Sequence, residues 1–137
     1  KLALPVIVHD REAHDDVMRI LREAAPFPAG GVMHCYSGDK YLAQELIELG
    51  FYLSIPGVVT FNKAITTQEA VAEIPLESLL LESDGPFLSP DPYRGKRNEP
   101  SFVLYTAKKI AEIKGVGLDE VARHTSRNAC TLFGLGL

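Results

Sequence analysis

The sequence predicts an α/β protein of four βα units on a parallel sheet, followed by C-terminal helices. Short apolar runs start at residues 6, 31, 51 and 79, and such runs bounded by turn signals read as buried parallel strands. A helical segment fills each gap, which makes right-handed βαβ units. The 137 residues are half of the roughly 250 that a complete (β/α)8 barrel takes. The chain therefore reads as a single domain, residues 1–137, that is either a half-barrel or a small open α/β sheet.

The elements follow in order. Val6–His9 is the first strand. The first helix is expected over Arg11–Ala25, with Ala13, Val17, Ile20, Leu21 and Ala24 on one face and Asp10 as its cap. Gly31–Cys35 is the second strand. A helix over Lys40–Leu49 follows, striped by Leu42, Leu46 and Leu49, and Gly50 stands where a left-handed C-terminal residue is wanted. Phe51–Ile55 is the third strand. The third helix, Thr66–Glu73, stops before Pro75. Leu79–Ser83 is the fourth strand. Gly85–Pro100 carries Pro86, Pro90, Pro92 and Pro100, and a loop this long inside a domain is usually functional. A helix over Ser101–Lys114 buries Val103, Ala107, Ile110 and Ala111 and ends at Gly115. Two short helices close the chain, Leu118–Arg123 and Arg127–Phe133, the second capped by Ser126.

Composition narrows the function. Hydrophobic residues make up 46% of the chain, enough for a real core. The net charge of −4 argues against a diffuse electrostatic grip on nucleic acid or anionic membrane, while leaving room for a local basic loop. Cys35 and Cys130 lie far apart with no C-x-x-C spacing, which fits a reduced compartment. No stretch approaches the roughly 20 apolar residues of a membrane span, and the segment before Val6 is too short for a signal peptide. The expected location is the cytoplasm, with no membrane partner. Neither a nucleophile elbow nor a phosphate-cradling glycine fingerprint occurs.

The chemistry sits where the strands end. Three of the apolar runs terminate in His9, His34 and Asp84. The carboxyl ends of parallel strands are where such folds bind ligands and react. Side chains alternate along a strand, so His9 shares a face with Ile7, His34 with Val32, and Asp84 with Glu82, while Val6 and Val8 face the helices. If the three turn inward at one rim they form part of a divalent-metal site. Zn²⁺ or Mn²⁺ suits mixed nitrogen and oxygen donors, and Mg²⁺ prefers more oxygen. A carboxylate beside a metal-bound water can take its proton. Glu82, one layer below, would orient a ligand or be a structurally paired acid. Arg11 would clamp a phosphate or pair with Asp15. Arg94, Lys96 and Arg97 form a basic loop cluster placed for DNA backbone contact or simply solvated. Phe87 and Tyr93 would stack on an unpaired base or anchor the loop. Cys35 should point to the helices as a small buried hydrophobe. His14, His124 and Cys130 receive no chemical role.

Four motifs then define a resemblance. The run Pro5 to Asp15, PVIVHDREAHD, resembles the second signature of the TatD family of metal-dependent deoxyribonucleases. His34-Cys35-Tyr36-Ser37-Gly38 is similar to its H-C-[FY]-[ST]-G segment, Glu73 to Pro86 to its I-P-x-x-x-L-L-x-E-T-D-x-P segment, and Arg97-Asn98-Glu99-Pro100 to its R-N-E-P. The similarity runs from Pro5 to Phe133. Ser83, Gly85 and Phe87 stand where the family more often has threonine, alanine and tyrosine. The resemblance implies a TIM barrel of the amidohydrolase type and a phosphodiesterase that trims DNA, 3′ to 5′, with up to two divalent metals (Zn, Mn or Mg). It implies that His9 and His34 hold one metal, and Asp84 the other or the shared water, with Asp84 in the catalytic role of taking the proton of that water. Two cations about 3.5–4 Å apart hold the attacking water and stabilise the leaving oxygen. The family's H-x-H pair and bridging glutamate are not in this chain, so the resemblance covers the C-terminal half of a barrel. Such a half leaves open strand edges and an uncovered inward face. Self-association or pairing with an N-terminal half is expected. Two other readings stay open: a small-molecule amidohydrolase, and a non-catalytic, self-associating half-barrel.

Overall fold

The computed structural model describes residues 2–136. Its strands are β1 (Val6–His9), β2 (Gly31–His34), β3 (Phe51–Ile55) and β4 (Leu79–Leu81). They form one parallel sheet in the order β1-β2-β3-β4, with Val6 opposite Gly31, Gly31 opposite Phe51, and Leu53 opposite Leu79. The helices are α1 (His14–Ala24), α2 (Lys40–Glu48), α3 (Ile65–Glu73), α4 (Val103–Lys114) and α5 (Leu118–Phe133). Single 3₁₀ turns occupy Gly57–Thr60, Leu76–Ser78 and Pro100–Phe102. This is the expected four-unit arc of a parallel half-barrel.

The period of two divides the sheet into two apolar layers. Met33, Leu53, Ile55 and Leu79 face the helices and pack with Met18 and Leu21 of α1, Leu46 of α2, Val71 of α3, Ile110 of α4 and Val121 of α5. Val32 and Leu80 face the opposite way, toward the barrel interior. That inward face is not left uncovered as expected. Leu132 and Ala129 of α5 pack on Val32, Tyr52 and Leu80, and only at β1 does an apolar inward residue, Ile7, stay 65% exposed.

The covering depends on α5 being one helix of 16 residues, about 24 Å long, rather than the two short helices expected. Ser126 reads as the cap of a second helix, but its neighbour Thr125 is buried and its hydroxyl donates back to the Val121 carbonyl at 2.9 Å. This bond satisfies the polar group within the helix, so nothing terminates it. Three residues on, Asn128 donates to the carbonyls of Leu76 (2.7 Å) and Leu79 (2.8 Å) and locks α5 to the start of β4. Asn128→Ala would leave both acceptors without that partner, at about 1–3 kcal/mol for each one cut off from water. We expect a lower unfolding midpoint in urea and increased exposure of Leu132; a wild-type midpoint would refute this role for Asn128.

The first helix also starts later than expected, at His14. Asp10 does not cap it. Its Oδ1 accepts from the Ala13 N–H at 3.0 Å and its Oδ2 pairs with His14 Nδ1, while Glu12 adopts a left-handed φ of 55° that no helix tolerates. α2 starts at Lys40 as expected, and Asp39, which the sequence reading did not single out, caps it by accepting from the Tyr41 and Leu42 N–H groups at 3.0 and 2.9 Å. Gly50, at φ 84°, sits in the left-handed region beyond its last turn.

Candidate metal centre

β2 ends one residue, and β4 two residues, before the sequence pattern suggests. Cys35 leaves β2 at φ 51°, yet the Tyr36 N–H still reaches the Ser54 carbonyl at 2.9 Å. Past β4, the Glu82 N–H still bonds Ile55 O at 3.2 Å, and Asp84 turns off at φ 54°. Left-handed backbone costs a non-glycine residue on the order of 1–3 kcal/mol and persists where surroundings enforce it. Here these turns place the Cys35 N–H and the Asp84 carboxylate around the end of β2.

His34 is held from one side only. Its Nδ1 lies 2.9 Å from Glu82 Oε2, which also accepts from the Cys35 N–H at 3.0 Å. A carboxylate only accepts, so Nδ1 carries the proton and the lone pair rests on Nε2. Nε2 lies 3.6 Å from Asp84 Oδ1, too far for a hydrogen bond. A carboxylate orienting one ring nitrogen while the other is free for a cation is the usual arrangement behind a metal-binding histidine. Donor atoms of His34, Glu82 and Asp84 all lie within 4.8 Å of one another. The second oxygen of Glu82, Oε1, is buried without a hydrogen-bond partner, and a buried unpaired carboxylate oxygen is costly unless a cation or donor reaches it. On the chemistry of this donor set, a divalent ion fits.

His9 stands beside this group but outside it. It is paired in register with His34, with ring centroids 5.6 Å apart and planes at 39°. His9, Arg11, Cys35, Asp84, Phe87 and Leu88 line a cleft of about 490 Å³ at the mouth of the sheet. Arg11 opens onto this cleft, and no pairing with Asp15 is present among the described residues. Arg94, Lys96 and Arg97 are exposed and do not line it. Arg94 instead lies over the Phe61 ring, 4.3 Å from its centroid. Tyr93 is an anchor, stacked on Phe102 at 4.2 Å and edge-on to Tyr105 at 5.2 Å.

Cys35 departs from expectation. Its left-handed backbone turns it to the cleft rather than to the helix layer. Burial, then the charges of Glu82 and Asp84, push its thiol up to about 12. At pH 8 very little of the thiol is then the reactive thiolate. In the metal-free native protein, iodoacetamide at pH 8 should spare Cys35, and labelling should accelerate as pH climbs toward 12. Mass spectrometry of the digested protein reads this directly, and rapid labelling at pH 8 would contradict it.

Two further residues matter that the sequence reading gave no role. Asn98 is 4% exposed. Its side chain donates to the carbonyls of Ser83 and Phe87, its N–H donates to Pro86 O at 3.0 Å, and its Oδ1 accepts from the Glu99 N–H at 2.8 Å. Those bonds fix the loop that carries Asp84. The signal was the asparagine within R-N-E-P, in a proline-rich loop with few other groups able to satisfy backbone carbonyls. Gly57 supports the same loop from below: a Cβ there would meet Leu88 O at 2.6 Å and Pro90 N at 3.0 Å, both backbone atoms. Gly57→Ala is expected to cost about 1–3 kcal/mol and to make residues 85–97 sensitive to proteolysis. Unchanged melting and protease resistance would show that the loop does not depend on this approach.

The chain matches the family described as TatD related DNase over residues 1–134. It is 49% identical over 130 residues to the uncharacterized metal-dependent hydrolase YabD of Bacillus subtilis (strain 168), covering 95% of this chain and 51% of that protein. It is 44% identical over 133 residues to the uncharacterized metal-dependent hydrolase YcfH of Escherichia coli (strain K12), covering 97% and 50%. Among solved structures, YJJV, a TatD homolog from Escherichia coli K12, superposes with a TM-score of 0.90 at 32% identity, over 97% of this chain and 51% of that one. A TatD family hydrolase from Entamoeba histolytica shares the fold, with a TM-score of 0.84 at 21% identity. The chain spans about half the length of the relatives it matches. With four strands in barrel order, a carboxylate-oriented histidine at their carboxyl ends and a family match from residue 1 to residue 134, the chain belongs to the TatD-related DNase family.

Proposed function

We propose that this chain supplies one half of a metal-dependent phosphodiesterase that removes nucleotides from the 3′ end of single-stranded DNA. The observation that carries the reading is His34, protonated at Nδ1 by its bond to Glu82, with Nε2 free and 3.6 Å from Asp84. His34 and Asp84 would hold the metal, with His9, its ring centroid 5.6 Å from that of His34, as a neighbouring imidazole donor; Zn²⁺ or Mn²⁺ suits such a position, and a second ion, Mg²⁺ included, would need further ligands. When bound, the cation polarises the phosphoryl oxygen and acidifies the attacking water. The residues of the chain do the rest. Glu82 keeps the His34 tautomer fixed. Arg11, on the cleft wall, holds a non-bridging phosphate oxygen through its paired N–H groups. Asp84 would take the proton that the water gives up as it attacks phosphorus, and pass it to the 3′ oxygen that leaves as the P–O3′ bond breaks.

The relatives' other half is the proposed partner. The β1 edge supports this, with Leu4, Val6 and Ile7 exposed beside an unpaired strand edge. Self-association of this chain would cover the same edge, and light scattering at micromolar concentration distinguishes it: a monomeric mass rules that route out. No helix among the described residues is long and apolar enough to cross a membrane, and a cytoplasmic location remains a proposal resting on the two unpaired cysteines.

The test is a chimera in which this chain replaces the matching half of YabD. A 5′-labelled single strand with Mn²⁺ should give a ladder shortening from the 3′ end, abolished by EDTA. A folded, metal-loaded chimera that leaves the strand intact would overturn the reading. One observation favours a second possibility: among the described residues lining the cleft, Arg11 is the only lysine or arginine, which suits a smaller substrate of amidohydrolases. A lactone or amide turned over faster than a nitrophenyl phosphodiester would select it.

A further inference from the structure

The loop after β4 presents one aromatic ring with nothing to do within the chain. Phe87 is 68% exposed although it is a large apolar side chain. The other rings of this region are engaged: Tyr93 is stacked on Phe102 and edge-on to Tyr105, and Phe61 is covered by Arg94. Phe87 has neither an aromatic nor a cationic partner among the described residues. Its backbone is nevertheless held at both ends. The Phe87 N–H donates to Asp84 O at 2.9 Å, and its carbonyl accepts from Asn98 Nδ2 at 2.6 Å. The next residue, Leu88, sits at φ 53° against Gly57. An exposed ring on a fixed backbone is a preorganised surface, since little ordering is left to be done on binding.

Its place gives it a ligand. Phe87 shares the cleft of about 490 Å³ with His9, Arg11 and Asp84. Its backbone bond to Asp84 ties it to the residue that faces the reacting phosphate. A base attached to a phosphate bound beside Asp84 would therefore enter the same cleft as the ring. Bases are planar and present a π-face whatever their identity, so a ring in this position reads a base without reading sequence.

We infer that Phe87 is the stacking platform for the nucleobase next to the scissile phosphate, and that it makes the site prefer unpaired strands. A duplex would have to give up a stacked base to reach the ring. This rests on the phosphodiesterase reading of the cleft. Phenylalanine offers no hydrogen bond, so purines and pyrimidines should both be accepted, with purines held tighter through their larger face.

The chain contains no tryptophan, so Phe87→Trp places a single indole reporter at the position. It is titrated with ten-nucleotide phosphorothioate oligo(dA), oligo(dT) and an abasic strand of equal length, with Mn²⁺, while end-label anisotropy records binding independently. The expected result is quenching by both base-bearing strands, stronger with oligo(dA), and none with the abasic strand. Phe87→Ala should weaken oligo(dA) binding on the order of ten- to a hundred-fold and leave abasic binding unchanged. Because the ring is exposed, both variants should keep the native circular dichroism. Oligonucleotides that bind without quenching, or that bind Phe87→Ala as tightly as the native chain, overturn the stacking role while leaving the phosphodiesterase reading intact. Strands that bind neither the native chain nor its folded, metal-loaded YabD chimera overturn both.

Discussion

Replacing His34 with alanine is expected to reduce affinity for Zn²⁺ or Mn²⁺ by more than a hundred-fold and to remove metal-stimulated cleavage in the YabD chimera. The reason is geometric. His34 carries the one imidazole nitrogen of the site whose proton is fixed on the far side, 2.9 Å from Glu82 Oε2. Without the ring, the donor group of His34, Glu82 and Asp84 loses its only nitrogen. The companion variant Glu82→Gln should do less, about 10–100-fold in metal affinity. A glutamine carbonyl still accepts from Nδ1, but the negative charge that raises the basicity of the ring is gone. Calorimetric titration of both variants checks the order. Equal losses would mean that Glu82 is itself a ligand, as its unpartnered Oε1 permits. Undiminished binding and cleavage in His34→Ala would remove the metal centre from this rim.

Asn98→Ala is the second large effect, and it acts without touching the cation. The side chain donates to two carbonyls and accepts from one N–H, all from a position that is 4% exposed. Unmaking these bonds leaves up to three backbone groups short of partners, each costing about 1–3 kcal/mol if water does not replace it. Since whole domains are stable by only about 5–15 kcal/mol, a drop in melting temperature of many degrees is expected. The more telling readout is local. The Phe87 amide, bonded to Asp84 O, should exchange its hydrogen faster, and metal affinity should fall because Asp84 is no longer held at φ 54°. A variant that melts lower but keeps slow exchange at Phe87 and full metal affinity would show that Asn98 only stabilises the fold.

The strands and their ends were legible because their signals are local. Val6–His9, Gly31–His34 and Phe51–Ile55 emerge nearly as read, since a short apolar run between turn residues has few other solutions. The helix boundaries that failed did so where a side chain did something periodicity does not encode. Asp10 bonds His14 instead of capping α1, and Thr125 bonds back to Val121 instead of ending α5. The covering of Val32 and Leu80 by Leu132 was likewise hidden, because it follows from where an unbroken α5 happens to reach.

By itself, the sequence determined the four βα units, their order, and which residue types stand at the strand ends, His9, His34 and Asp84, because alternation and apolar runs act over a few residues. Only the tertiary structure decided how those groups are used. It set Glu82 against a histidine 48 residues away, turned Cys35 and Asp84 off their strands into left-handed backbone, and left Arg94, Lys96 and Arg97 outside the cleft that Arg11 and Phe87 share. Hydrogen bonds between distant segments fix a side chain's direction, and that direction is written in no single stretch of the chain.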